Sequence, residues 1–358
     1  MNLTKPFKFG AIIVALCTLL TYTNLLSSTI SNLTIVATFG IIYLIFCAAR
    51  GGFSLLMLIP ITGAFAIIFL NQDPTMISLA LIWMIYDIIT NSEIDRTVIA
   101  KSFFITGTLG YLVVIAAYFT IGLNKHADLT MWRVDHIISR ASLGFQQPNA
   151  SMLYVLSLAI AYVIAYKLTW TRYIVGIGII SGLFVLNQSR TGFLLVILLL
   201  TLTKFNIRWP FPRLTFMIIA GLSYVLMVLP INEMLDSILS GRLALYQSYR
   251  AEFGIHPIGN PMVDNAMIDN GYIQMLLSKG WVFCLFFVAS MFIVKSSKTR
   301  LASIVFAVYI LSSFTETTFL HLDILIPMLL IITETKFNTQ KGSNLEKKTV
   351  DINCSTNL

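Results

Sequence analysis

Apolar residues run along this chain in long blocks, and the polar residues fall in short clusters between them. Blocks at about 9–27, 31–49, 52–70, 75–91, 101–122, 150–167, 172–186, 192–206, 214–230, 271–294, 300–314 and 318–334 each read as a helix. Crossing the hydrocarbon core of a bilayer takes about 20 apolar residues. No water is present there to satisfy a free backbone amide, so a helix is the form such a block takes. The pattern predicts an all-α, polytopic membrane protein of about twelve transmembrane helices.

The polar clusters are uneven. Connections at 28–30 and 71–74 are tight turns, whereas 123–149 is long and 231–270, before the tenth span, is the longest. Long connections in a compact protein are usually functional. The 123–149 segment mixes Trp132, Ile137, Ile138, Leu143 and Phe145 with charges and suits the membrane interface. Residues 336–358 are Lys-, Asn-, Ser- and Thr-rich and read as a disordered tail, which leaves 1–335 as the transmembrane domain. The first block reads as a membrane helix rather than a cleaved leader, because a second block follows at once and no small-residue cleavage site stands out.

Composition agrees with this picture. Of 358 residues, 57% are hydrophobic and 11% charged, and the mean hydropathy is +0.83. Soluble domains carry about 25% charged residues. The net charge of +8 raises the question of nucleic acid, and its placement answers it. With Lys5 and Lys8 on the cytoplasmic side, the inner loops also hold Arg50, Arg96, Lys101, Lys167, Arg172, Lys204, Arg208, Arg213 and Arg300. Such a bias orients membrane proteins, and it predicts that both termini are cytoplasmic. The cations face anionic lipid, and no nucleic acid is needed to explain them. Cys17, Cys47 and Cys284 lie in apolar blocks and Cys354 in the tail, so neither a disulfide framework nor a metal-ligand spacing is present.

Candidate chemistry lies on the outer side. The spans at 172–186 and 192–206 are short. A helix of about 15 residues covers about 22 Å against a core of about 30 Å. The turn at 187–192 is therefore expected below the outer surface, with Arg190 facing a cavity. In the long loop, Gly241 either breaks a helix or leaves Arg242 on an apolar stripe with Tyr246 and Tyr249. Arg140, Arg190 and Arg242 are candidates for binding a diphosphate, since guanidinium groups form paired hydrogen bonds to phosphate and stay charged. The bland alternative is an interfacial arginine paired with a carboxylate. Asp269 and Asn270 precede a helix, where such residues cap. Asp269 is also the candidate general base, with His256 and Asp264 as substitutes. Asp87 reads as structural, and Glu316, His321 and Asp323 as partners of the arginines or as lining of the same cavity. There is no Gly-rich phosphate loop, no paired metal carboxylates and no Ser-His-Asp order, so no cofactor or metal is expected.

Four segments occur in order: Arg140-Ala-Ser-Leu-Gly-Phe-Gln-Gln-Pro-Asn149, Ser189-Arg190-Thr-Gly192, Ser240-Gly-Arg242, and Asp269-Asn-Gly-Tyr-Ile-Gln-Met-Leu-Leu-Ser-Lys-Gly280. Together they resemble the O-antigen polymerase/O-antigen ligase superfamily, especially capsule and exopolysaccharide repeat-unit polymerases. The resemblance covers roughly residues 100–295. It implies a metal-independent glycosyltransferase of the bacterial plasma membrane that joins undecaprenyl-diphosphate-linked oligosaccharides. A chain-length regulator and a flippase would be further partners. In that setting Arg190, Arg242 and Arg140 would hold the diphosphate and Asp269 would orient or deprotonate the acceptor. Asn270 would add a substrate contact, and Tyr272, Tyr246 and Trp132 would stack on sugars. Two positions depart from the pattern: Gln147 stands where relatives often have His, and Asp269 stands where ligases have His, which favours a polymerase.

Overall fold

The computed structural model describes residues 2–73, 76–133, 136–230, 234, 236, 241–260, 262–263, 268–293 and 299–333. The expected tail at 336–358 lies outside the described residues, as do Ser240 and Asp264. Among the described residues the chain is all-α apart from one hairpin. A helix forms in each apolar block: α1 Thr4–Tyr22, α2 Ser28–Arg50, α3 Leu55–Asn71, α4 Ile77–Asn91, α5 Arg96–Ile121, α6 Pro148–Ala165, α7 Trp170–Asn187, α8 Arg190–Lys204 and α9 Pro212–Val228. After the long loop come α11 Gly271–Ile293, α12 Arg300–Thr315 and α13 Leu322–Ile332, and α10 Arg242–Phe253 lies within that loop. Side-chain caps set several starts. Ser27, Asp95, Thr169 and Thr299 each accept from a backbone amide of the following first turn.

Among the described residues six helices are long and apolar enough to cross a membrane: α1, α2, α5, α6, α7 and α11. Five others, α3, α4, α9, α12 and α13, are shorter apolar helices. The outside of the bundle is as apolar as the inside. Leu55, Phe69 and Ile121 are 79%, 82% and 79% exposed, on helices whose other faces pack inward. An exterior of that kind is unsustainable in water and is what lipid requires. α13 sits at the centre, with every residue but Ile331 buried against its neighbours α1, α4, α5, α6 and α12. A helix apolar all round is a core helix.

Hydrogen bonds between connections define the two ends. At one, Leu3 donates to Glu93 and Arg300 to the carbonyl of Asn206. This end also gathers the cationic loops: Arg50 pairs with Asp87, Lys204 lies over Trp170 and Arg172 over Tyr166. Asp87 is thus a brace, also receiving hydrogen bonds from Tyr43 and Asn91. At the opposite end Gln146 donates to Tyr22, Ala141 to Leu186 and Asn71 to Lys279.

Two expectations are corrected and a third is decided. The 123–149 segment is not a simple interfacial stretch but contains an antiparallel hairpin, β1 Leu129–Arg133 and β2 His136–Arg140, in which Leu129 faces Arg140. α7 has 18 residues rather than about 15, because Thr169 starts it earlier and Gln188 ends it later. Of the two alternatives at Gly241, the break is the one observed. That residue has φ +79°, a left-handed conformation open to glycine, and α10 begins immediately after it.

Candidate functional site

At the end opposite the Arg50–Asp87 brace, polar residues converge on Asn149. Pro148 opens α6, as proline can at a first helical position, and this puts Asn149 in the first turn. Its Oδ1 accepts from Arg140 Nη2 at 2.6 Å and from Ser189 Oγ at 3.1 Å. Its Nδ2 donates to Glu316 Oε1 at 3.1 Å. Arg140 leaves the end of β2 and is 8% exposed. Its Nε also donates to the carbonyl of Asn187 at 3.3 Å. Asn187 is fully buried and donates to the carbonyls of Pro148 and Ala141, and so ties the α7–α8 turn to the start of α6. The same turn packs close because Gly192 has no side chain: a Cβ there would stand 2.6 Å from Met152 Cβ.

A second group meets the first through Glu316. Arg242 Nη2 lies 2.6 Å from Asp269 Oδ2, and Tyr246 donates to Asp269 Oδ1 at 2.7 Å. Burial, then the Asp269 carboxylate, drives the Tyr246 phenol well above its usual range, so it remains a donor. Glu316 ends the helix before the last connection and feels both groups. Burial, then Asp269, pushes its carboxyl up to about 7, while Arg242 and Arg140 pull the other way. The result is an alternating cluster, Arg140, Glu316, Asp269 and Arg242, contributed by the hairpin, the α12–α13 connection, the start of α11 and α10.

The expected site residues fare differently. Arg140, Arg242, Asp269 and Tyr246 come together, but Tyr246 is 4% exposed and holds the Asp269 carboxylate, so it is not a sugar platform. Asn270 is the cap of α11, accepting from the amides of Tyr272 and Ile273 and donating to Ser223. Tyr272 is a core residue: its ring meets Phe319 edge-on at 4.5 Å and its hydroxyl donates to the carbonyl of Ile310. Arg190, expected in a cavity, is exposed at the first position of α8 and has no polar partner among the described residues. The strand β1 contains Trp132, whose side chain lies outside what is described. Sequence reasoning missed the roles of Asn149, Asn187 and Ser189. Their only signal is that Pro148-Asn149 and Asn187-Gln-Ser189 are polar breaks directly beside apolar blocks.

Beside this cluster lies a half-open cavity of about 330 Å³, between the end of α1, the starts of α2, α4 and α11, and the α12–α13 connection. His321 and Asp323 line it, rather than pairing with an arginine, and Tyr22 hydrogen-bonds His321 Nδ1 at 2.6 Å. Lys279 also lines it, with its ammonium on Asp73. Among the described residues no group of three His, Cys, Asp or Glu could hold a metal ion.

Fold and site together define an all-α membrane protein with a charged, hydrogen-bonded cluster at one end of its bundle. No family model, no curated protein and no solved structure matches the chain.

Proposed function

We propose that this protein is a polysaccharide polymerase with about twelve spans and cytoplasmic termini, joining undecaprenyl-diphosphate-linked repeat units at the outer face of a bacterial plasma membrane. The observation that carries this reading is the meeting of Arg140, Glu316, Asp269 and Arg242 at the end of the apolar bundle opposite the Arg50–Asp87 brace. These are the residues a lipid diphosphate and a sugar hydroxyl would need. Arg242 uses one nitrogen on Asp269 and its side chain is 47% exposed, which leaves guanidinium donors for a phosphate. Arg190, exposed at the start of α8 and unpartnered among the described residues, adds a further cation at a helix N-terminus.

In the reaction, an acceptor hydroxyl oxygen bonds to the anomeric carbon of the donor glycan. The bond from that carbon to the diphosphate oxygen breaks, and lipid diphosphate leaves with the electron pair. The hydroxyl proton passes to a carboxylate. Asp269 has both oxygens engaged and orients the acceptor with Arg242, and Glu316 is the better placed to take the proton. The departing charge is met by the arginines, and positioning supplies much of the rest.

The test is the purified full chain in detergent with lipid-linked repeat units. Polymer is expected there, with no membrane to cross. A transporter of lipid-linked oligosaccharide would instead move substrate in vesicles and yield no polymer, and a ligase would form no repeat-to-repeat bond; either result rejects the reading. No internal repeat of the kind common in transporters runs through the sequence.

A further inference from the structure

At the end that carries the Arg50–Asp87 brace, two cations from different helices close on one ring. Tyr166 is the C-terminal cap of α6, and Lys167 follows it. Lys101 Nζ, from the second turn of α5, lies 5.9 Å from the centre of the Tyr166 ring. Arg172 Cζ, from the first turn of α7, lies 5.7 Å from the same centre. Phe104 and Tyr162 pack against this ring and fix its place. Arg172 Nη1 donates to the carbonyl of Lys167 at 3.0 Å, which holds the guanidinium there and leaves its other donors.

Other cations of this end have acceptors: Arg50 has Asp87, and Arg96 donates to the carbonyl of Thr333. Lys101, Lys167 and Arg172 form no ion pair among the described residues. Each cation is drawn to the ring by its electron-rich face, but nothing described there offsets the repulsion between them. The hydroxyl of the half-buried Tyr166 also has no hydrogen-bond partner among the described residues.

Each cation heads an apolar row. Along α5, Ile105, Leu109 and Leu112 follow Lys101 at spacings of three and four residues and are exposed. Along α7, Val175 and Ile179 follow Arg172 in the same way and are exposed. Both helices pack on α6. The chemistry narrows what covers this face. A free phosphate would meet the cations and leave the rows bare. An uncharged lipid would cover the rows and leave the cations unanswered. A zwitterionic headgroup would bring an ammonium of its own against them. An anionic diacyl lipid answers all three elements.

We propose that this α5–α6–α7 face is a site for one anionic diacyl phospholipid. Lys101, Arg172 and the Tyr166 hydroxyl hold its phosphodiester, Lys167 adds charge, and the acyl chains follow the two rows. The assignment does not depend on the polymerase reading.

The test is native mass spectrometry of the purified full chain, titrated in detergent with phosphatidylglycerol or phosphatidylcholine of the same acyl chains. One phosphatidylglycerol is expected to be held about tenfold more tightly than phosphatidylcholine, as a pair of cations at the surface gives. Lys101→Ala with Arg172→Ala should abolish that preference with little change in melting temperature, since both side chains are exposed. Lys101→Glu, a single exposed change, should do the same by repelling the phosphate. Tyr166→Phe keeps the ring and loses the hydroxyl, and should weaken binding about threefold. Lys5→Ala with Lys8→Ala removes as much charge from exposed positions of the same end and should leave the preference intact. Equal retention of the two lipids overturns the site, as does a preference that survives both the Lys101/Arg172 variant and Lys101→Glu. An equal loss in the Lys5/Lys8 variant reduces the effect to the general attraction of a cationic surface and also overturns it. Displacement of the lipid by millimolar glycerol phosphate would make this a site for free phosphate instead.

Discussion

Arg242→Ala is expected to lower polymer formation by about 10²–10³-fold, the usual cost of removing one preorganised charge-stabilising donor. Single repeat units should persist on lipid while the long-chain ladder disappears. The fold should survive. The Arg242–Asp269 pair is partly solvated, with the arginine side chain 47% and the aspartate 28% exposed, and a pair so placed contributes about 0–1 kcal/mol to stability. The melting temperature is therefore expected to move little while activity collapses. Lysine at 242 keeps the charge but loses the planar fork, so it should restore only a fraction of the rate.

A charge swap separates two roles for this arginine. Arg242→Asp with Asp269→Arg recreates an ion pair between α10 and the start of α11. Were the pair merely a clasp between these elements, the double variant would recover polymer. As a diphosphate ligand on one side and an acceptor-orienting carboxylate on the other, neither group works from the other's position, and the double variant is expected to stay inactive. Wild-type ladders from Arg242→Ala, read on gels of lipid-linked material, would remove the residue from the reaction altogether.

How far these residues could be read from the sequence depends on the range of the forces that place them. The apolar blocks were legible because a backbone kept from water must hydrogen-bond within itself, and a helix lies in each of them. The cap of α11 was legible at Asn270 for a local reason, since Asn bonds the amides two and three residues on. Gly241 as a break was legible from its own backbone freedom. The hairpin was not, because Leu129–Arg133 and His136–Arg140 mix apolar and polar residues without the regular alternation that marks a strand. Tyr272 follows the Asp-Asn-Gly segment in a way that suggested a ligand contact, and only packing against Phe319 and Phe216 shows it to be core. The junction of Arg140, Asn149 and Glu316 was the least legible part. Its members come from a hairpin, a helix start and a late connection, and no local spacing encodes that meeting.

The activity is expected to rise with pH through about 7, and Glu316→Gln is expected to abolish that limb while lowering the rate by about 10²–10⁴-fold, the usual range for a lost general base. The sign follows from the groups facing the carboxyl. Burial and the negative charge of Asp269 favour the proton on Glu316, and Arg242 and Arg140 favour its release; the balance puts the midpoint at about 7. Below that value the carboxyl already holds a proton and cannot accept one from a sugar hydroxyl, so the rate should fall about tenfold for each further pH unit. Above it Glu316 is a carboxylate, held toward the cluster by Asn149 Nδ2. Its neighbours then move the limb in opposite directions. Asp269→Asn removes the negative neighbour and should shift the limb to lower pH in whatever activity remains, whereas removing the positive charge in Arg242→Ala should shift it to higher pH. A substrate phosphate titrating in the same range would give a limb that survives in Glu316→Gln and ignores both neighbours. Profiles of kcat against pH for the four proteins distinguish these origins, and an unchanged limb in Glu316→Gln would assign the proton to another acceptor.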